Sequence, residues 1–270
     1  MESIESTIAK RRSVRTFDGK PLSSEDRIVL ANLIDKTGNP FGVTVEFCAL
    51  DAETHGLKSP AIVGEKLYVA AKVARVPNCE IAFGYEFERF CLDAASRGLG
   101  TVMLAASLNR DAFEQAIAVT DDEVMPVASP VGRPATRQSL REIAMRKALG
   151  ADNRLPFEEL FFEGSFDTPL DPEAAGSMRA PLESTRLAPS AGNKQPWRVV
   201  VDANQAHFYE KRSMGDSPLG DIQKVDMGIA LAHFDLVAAE RGLGTRFMQT
   251  DPGIAMPDGV EYIVTCEVLS

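Results

Sequence analysis

Apolar and polar positions along the chain alternate between two periods. "VTVEFCAL" (43–50), "PWRVVVD" and "EYIVTCEV" are short runs rich in β-branched and aromatic residues, and they predict strands. "AHFYEK" follows "PWRVVVD" after a short polar turn and predicts its hairpin partner. "YEFERFCLDAASRGLG" repeats at helical spacing. Phe87, Cys91, Leu92 and Ala95 share one face, Glu88 and Arg89 the other, and Gly98 ends the pattern. "VDMGIALAHFDLVAAERGLG" predicts the longest helix. Shorter helices are expected over 3–10, over 24–36 behind the N-cap candidate Ser23, over 109–119, over 138–149 and in "PLESTRLA". "VMPVASPVG" (124–132) reads as one strand and "TVMLA" as a short strand or buried connection; "GEKLYVAAKVA" fits either period. Helices and strands mix without regular βαβ alternation, which favours an α+β layer fold over a doubly wound sheet.

Two of these stretches match each other. "GYEFERFCLDAASRGLGT" starts at Gly84 and "GIALAHFDLVAAERGLGT" at Gly228, 144 residues apart. Gly, Phe, Leu, Ala-Ala, Arg and Gly-Leu-Gly-Thr fall in register. Each copy alone is a helix closed by a glycine, and GLGT is no phosphate loop because it follows a helix instead of opening one. The repetition points to a duplicated unit of about half the chain, with 1–152 and 153–270 as two degenerate copies packed on each other. "TFDGKPLSSED" then lines up with "GSFDTPLDPEA", Pro21 on Pro169 and Ser23 on Asp171, both N-cap types. In that register Arg11 falls on Glu159 and Arg15 on Glu163; a one-residue slip gives Leu160 and Gly164. The loss is reciprocal, since "PSAGNKQPW" in the second copy faces only "DKTGNPFGVTV" in the first.

These two unmatched segments carry the candidate chemistry. Arg11, Arg12, Ser13 and Arg15 gather three cations and a hydroxyl within five residues. A phosphate monoester needs guanidinium forks and hydroxyl donors from a fixed backbone. In an extended segment Arg11, Ser13 and Arg15 share one face; the competing reading is a solvated basic helix end. The loop 189–197 offers Ser190, the backbone around Ala191 and Gly192, Asn193 and Gln195, stiffened by Pro189 and Pro196. It suits a planar polar ligand held by its edge, or else it is a helix terminus satisfied by Asn193 with Trp197 as a core anchor. A net charge of −10 argues against a general nucleic-acid or anionic-membrane binder. Cys48, Cys79, Cys91 and Cys266 lack metal or dithiol spacing, and His55, His207 and His233 share no spacing, so no metal site is expected and the histidines read as structural or surface groups. No apolar run reaches membrane length and the N-terminus has no apolar signal core, so a cytoplasmic protein is expected.

"AKRRSVRTFDGKPLS", "APSAGNKQPWRVVV", "GYEFERFCLDAASRGLGT" and "NRLPFEELFF" together resemble the motifs of the FMN-dependent nitroreductase family. In ordinary members one short chain carries RRSxR, PSxxNxQPW, the helix ending in GLGT and a KxRxP tail, and each flavin lies between two subunits. This sequence resembles a variant with two such units fused in tandem, so that one chain mimics the dimer. The resemblance implies a nitroreductase-like fold and one intact flavin site assembled from opposite copies. Arg11, Arg12, Ser13 and Arg15 would hold the FMN phosphate and ribityl chain, with Arg154 near the phosphate. Pro189, Ser190, Ala191 and Asn193 would reach the isoalloxazine and ribityl region. The segment 103–106, with Leu104, Ala105 and Ala106, would run along the flavin edge, its Ala105 or Ala106 N–H near N5 and O4. Asp152 stands where many members have a lysine. The implied activity is ping-pong hydride transfer from NADH or NADPH through flavin N5 to a nitroaromatic, quinone or similar small acceptor. The rivals are a flavin-binding or sensing protein without turnover, and a related FMN enzyme such as an ene reductase or dehalogenase. Phe41, Tyr68, Phe161 and Phe162 are candidates for the acceptor pocket or for core. A fused pseudo-dimer needs no second chain to complete its site, although two fused chains can still pair.

Overall fold

The computed structural model describes residues 2–35, 38–215 and 219–269. Its elements run α1 (Ile4–Lys10), α2 (Ser24–Ile34), β1 (Val45–Asp51), β2 (Leu67–Ala74), α3 (Cys79–Ser96), β3 (Gly100–Thr101), α4 (Arg110–Ala116), β4 (Glu123–Val124), β5 (Ala128–Gly132) and α5 (Leu140–Ala148). The second half adds α6 (Phe157–Leu160), β6 (Phe161–Glu163), α7 (Arg179–Arg186), β7 (Trp197–Asp202), β8 (Gln205–Lys211), α8 (Ile222–Glu240), β9 (Gly244–Met248) and β10 (Val260–Leu269). This is the α+β order expected.

Two sheets form from separate stretches. The first runs β1-β2-β5-β3 with β4 beside β2, and the second β6-β7-β8-β10-β9. Setting aside β4 and β6, both sheets have the same strand order with antiparallel neighbours throughout. β6 joins its sheet edge in parallel, on β7. Helix α3 packs on β1, β2 and β3, α8 packs on β7, β8 and β9, and the two helices pack against each other. One apolar core therefore runs from Leu67 and Val69 through Phe83, Phe87, Ile229 and Phe234 to Phe208 and Val264.

The helix contact is reciprocal. A Cβ on Gly84 would stand 2.0 Å from the Val225 carbonyl oxygen, and a Cβ on Gly228 2.0 Å from that of Ile81. Val225 lies three residues before Gly228 and Ile81 three before Gly84, so each helix offers the other the same patch. Only glycine permits this approach.

Several expectations need adjustment. Ser23 caps α2 as predicted, its hydroxyl accepting from the Asp26 N–H at 3.0 Å, but the helix ends at Ile34 and the expected end at Lys36 lies outside the described residues. Asp171 caps only a turn, accepting from the Glu173 N–H at 2.9 Å. The ambiguous run at 64–74 contains a strand, because its β-branched and small residues fill a central position between β1 and β5. The strand expected over 124–132 is two, with Pro126, which has no N–H for a ladder, between them. β9 and β6 carried no alternation strong enough to predict them; β9 is half-exposed along its length.

Candidate functional site

Residues 11–17 continue from α1 as an extended segment. The Val14 N–H donates to the Thr101 carbonyl at 2.9 Å, the Val63 N–H to that of Arg15 at 2.9 Å, and the Phe17 N–H to that of Val63 at 2.8 Å. Alternate side chains then face opposite ways, as expected of extended backbone. Arg11, Ser13 and Arg15 all face a cavity of about 460 Å³, whereas Arg12 turns aside to Glu142 on α5 at 2.8 Å. That volume falls within the range of small-molecule sites.

The loop after α7 forms the facing wall. The Ser190 hydroxyl accepts from the Gln195 N–H at 2.9 Å, and Gly192 takes φ 58°. The Asn193 amide donates to the Gly150 carbonyl at 2.8 Å and the Asn153 carbonyl at 3.1 Å. Gln195 accepts from the Leu155 N–H at 2.9 Å. These two amides thus stitch the loop to 150–155, which answers part of what a polar loop is for. The Asn193 and Gln195 side chains are thus engaged within the protein, and Trp197 is a fully buried core anchor. Pro189, Ser190 and Ala191 remain turned to the cavity.

A smaller recess of about 220 Å³ opens beside the first and shares Arg11, Ser13, Arg15, Pro189 and Ser190 with it. Arg12, Arg154 and Asn193 line the recess, and Leu104, Ala105, Ala106 and Ala191 the larger cavity. The predicted residues therefore all come together, although they are spread over some 180 positions of sequence. The Leu104 backbone is spent on a reciprocal pair with Ala128 (2.8 and 3.1 Å), so Leu104 offers only its side chain. The Ala105 carbonyl accepts from Arg110 at 2.8 Å, and the trans peptide then aims the Ala106 N–H the opposite way. Of the acceptor-pocket candidates, Tyr68 and Phe161 are fully buried core, Phe162 lies tilted against Phe166, and Phe41 packs on Tyr85 and Phe247; none lines this cavity.

Charge concentrates in the recess. Arg11, Arg12, Arg15, Arg146 and Arg154 line it, with Asp152 as its lining acid. Asp152 is paired to Arg146. The Nε atoms of Arg11, Arg15 and Arg154 are buried and have no hydrogen-bond partner. Burial holds Arg15 below the usual guanidinium range, eased by Glu142 and worsened by Arg146. Arg154 is depressed by burial and then by Arg11. Unpartnered buried donors on cations are costly, and an anion with several acceptor oxygens would satisfy them.

Sequence reasoning missed four neighbours. Glu142 sits at the base of the segment, accepting from Arg12, Thr16 and Gln138; burial would raise its pKa, but these bonds hold it lower. Arg146 lies on α5, a helix expected from its spacing alone. Glu88 stands 3.6 Å from Arg11 and also meets Nε2 of His233 at 2.9 Å, whose Nδ1 faces the Ser184 carbonyl at 2.9 Å. His233 is fully buried, which rules out the surface alternative for it. Asp226 on α8 lines the cavity, and both its carboxyl oxygens lie 3.0 Å from the Ala191 N–H. Its position, one turn into a helix, gave no local signal. A wider groove of about 630 Å³ bounded by Ile8, Ala180 and Leu243 holds none of the predicted site residues.

The fold is nitroreductase-like. The family model described as "Putative TM nitroreductase" matches residues 3–238, and the chain belongs to that family. It is similar to a crystal structure described as a "putative nitroreductase" of Thermotoga maritima MSB8, at 21% identity and TM-score 0.66, over 99% of this chain and 94% of that one. An FMN-dependent nitroreductase of Clostridium difficile R20291 aligns at 12% identity and TM-score 0.42, over 49% of this chain and 88% of that one. An iodotyrosine deiodinase bound to FMN and 3-iodo-L-tyrosine aligns at 14% and 0.42, over 50% and 92%. No curated protein matches the chain. No helix among the described residues is long and apolar enough to cross a membrane.

Proposed function

We propose that this protein is an FMN-dependent NAD(P)H oxidoreductase with one flavin site per chain, built between two fused nitroreductase-like units. The observation that carries the reading is the gathering of Arg11, Arg15 and Arg154, whose buried guanidinium Nε atoms make no hydrogen bond, around a recess continuous with a larger apolar-walled cavity; the Arg11 Nε has only the 3.6 Å ion pair with Glu88. The recess has the donor set of a phosphate site, and the cavity has room for a flat ring system. The reciprocal glycine contact and the matching strand orders support two related units.

Arg11, Ser13, Arg15 and Arg154 hold the phosphate end, with Arg12 kept in place by Glu142. Pro189, Ser190 and Ala191 bound the ring system from the second unit, their loop anchored by Asp226 and by the amides of Asn193 and Gln195. Leu104, Val102 and Ile229 exclude water from one side. The Ala105 and Ala106 backbone borders the flavin edge, where fixed N–H dipoles favour the reduced ring. When bound, FMN supplies hydride acceptance from NADH or NADPH and hydride donation to an electron-poor acceptor such as a nitroaromatic or quinone. The chain's task is orientation, and no side-chain nucleophile is assigned. The site is complete within one chain.

The test is an absorption spectrum of protein purified with FMN and then desalted. Flavin bands at about one per chain, abolished in Arg15→Glu, are expected. No retained flavin in the parent protein overturns the assignment. Consumption of NADH or NADPH only with an added acceptor then separates an enzyme from a flavin-binding protein without turnover.

A further inference from the structure

The two sheets share a frame that fixes which positions correspond. Val45 pairs with Val73 in the first sheet as Trp197 pairs with Glu210 in the second. Tyr68 pairs with Pro130 as Gln205 pairs with Glu267, and Thr101 with Val131 as Thr245 with Val268. Continued four residues upstream of β1 and β7, this frame sets Phe41 on Asn193. The 144-residue spacing of the helices and the segments after them sets Tyr85 on Ile229, Asp235 on Cys91 and Phe247 on Met103. Asn193, Ile229, Cys91 and Met103 all line the cofactor recess or its cavity.

At the corresponding place the cavity is replaced by side chains. The rings of Phe41 and Phe247 lie 5.9 Å apart, Phe41 and Tyr85 6.4 Å, and Tyr85 and Phe247 6.4 Å, with Tyr85 edge-on to both. These separations are those of favourable aromatic pairs. The Tyr85 hydroxyl donates to Asp235, which also accepts from the Thr245 hydroxyl. Thr245 corresponds to Thr101, another lining residue of the open cavity. Loop, helix and post-helix segment thus meet as they do around the open site, but with three rings and a polar seal. The basic segment has no equivalent, since its counterparts are Glu159 and Glu163.

We infer that Phe41, Tyr85 and Phe247 plug a second, symmetry-related cofactor position, leaving the chain a single site. This rests on the two-unit reading above. The plug fills a ligand-sized place with packed side chains, Tyr85 buried and Phe41 and Phe247 half-buried against the core, so trimming it should cost stability and open a space that an apolar probe can enter.

The experiment pairs flavin counting with a cavity readout. The parent protein should retain one FMN per chain, and benzene should not change its melting temperature. Phe41→Ala/Phe247→Ala should melt at least about 5 °C lower. Benzene should raise its melting temperature, as it fills engineered apolar cavities. Its FMN content should stay at one per chain and still be lost with Arg15→Glu. Two FMN per chain in the parent overturns the inference, as does a double variant that keeps the parent melting temperature and ignores benzene. If the double variant does not fold, Phe247→Leu alone is subjected to the same comparison. A parent that binds no FMN defeats the functional reading, while the benzene and melting readouts still decide the plug.

Discussion

Replacing Gly228 by alanine tests the helix pair on which the site depends. In an exposed helix the change would stabilise by about 1 kcal/mol, because alanine has the better helix propensity. Here the new Cβ would lie 2.0 Å from the Ile81 carbonyl oxygen, where 3.4 Å or more is ordinary contact. Helices α3 and α8 must part by more than 1 Å, and both are central to the core. Overpacking of this kind costs about 1–3 kcal/mol and sometimes more. The expected net loss is about 3 kcal/mol, or a melting temperature lower by about 6–12 °C. Gly84→Ala should behave alike, since its Cβ meets the Val225 carbonyl at the same 2.0 Å. The double variant should cost less than the sum, because the first substitution already separates the helices. Flavin retention should fall in parallel, as Cys91 of α3 and Ile229 of α8 both line the cavity. Urea and thermal unfolding of the three variants measure all of this. A Gly228→Ala protein as stable as the parent, or more stable, would refute the close-packed crossing.

Two carboxyls give further expectations. Asp226 is raised well above the usual carboxylate range by burial, reinforced by Glu210 and Asp221 and opposed by the Ala191 N–H. Asp226→Ala should loosen the 189–193 loop and weaken FMN binding about tenfold, whereas Asp226→Asn, which keeps an acceptor for Ala191, should largely restore it; equal affinities in a flavin titration would sink the anchoring role. Glu210 on β8 is fully buried and neither oxygen has a hydrogen bond, its Oε1 meeting the Arg212 Nε only at 3.9 Å; burial first, then Asp221 and Glu261, push its pKa from 4.5 to about 7 against Lys224 and Arg212. The native state therefore holds this proton to a higher pH than the unfolded chain, and stability falls as pH rises from about 4.5 to about 7. Glu210→Gln should flatten that part of the profile and gain up to about 3 kcal/mol at pH 7.5, measured by urea unfolding across pH; an unchanged slope would show that Glu210 is not responsible.

The legible parts of the molecule were those written locally. Helical spacing with a glycine stop marked α3 and α8, and a serine before an acidic turn marked α2. The repeated GLGT pattern led to Gly84 and Gly228, although the reason both are glycine, a carbonyl of the other helix, appears only in three dimensions. Most of the candidate site residues lie in two short dense segments, 11–15 and 189–193, and that density is what made them legible. What escaped is non-local or has no period. Asp226 looks like any helix acid until its partner Ala191 is known, and β6 is three residues long and gains its ladder from β7. Phe41 was a candidate for lining an acceptor pocket because a single ring in a loop carries no sign of whether it faces ligand or fills space; its neighbours Tyr85 and Phe247 decide that.

The buried network behind Arg11 links α3 and α8 to the arginine-lined recess. His233 on α8 faces the Ser184 carbonyl with Nδ1, so that nitrogen carries a hydrogen, and its Nε2 lies 2.9 Å from Oε1 of Glu88 on α3. Glu88 is 1% exposed and its second oxygen has no partner, so within the core it depends on His233 on one side and Arg11 on the other. The contact with Arg11 is 3.6 Å, an ion pair without a hydrogen bond, which leaves the guanidinium donors for another acceptor. A carboxylate placed thus holds the arginine in position without satisfying it. On the two-unit reading this explains how an asymmetric site persists within a symmetric frame. The position of Glu88 corresponds to Ala232 in the second copy, where no arginine segment needs a counter-charge, and the position of Asp226 to Ala82 in the first, where no polar loop needs an anchor. The supporting acids therefore divide between the copies as their partners do, and removing either half of the arrangement would strand a buried charge in the other.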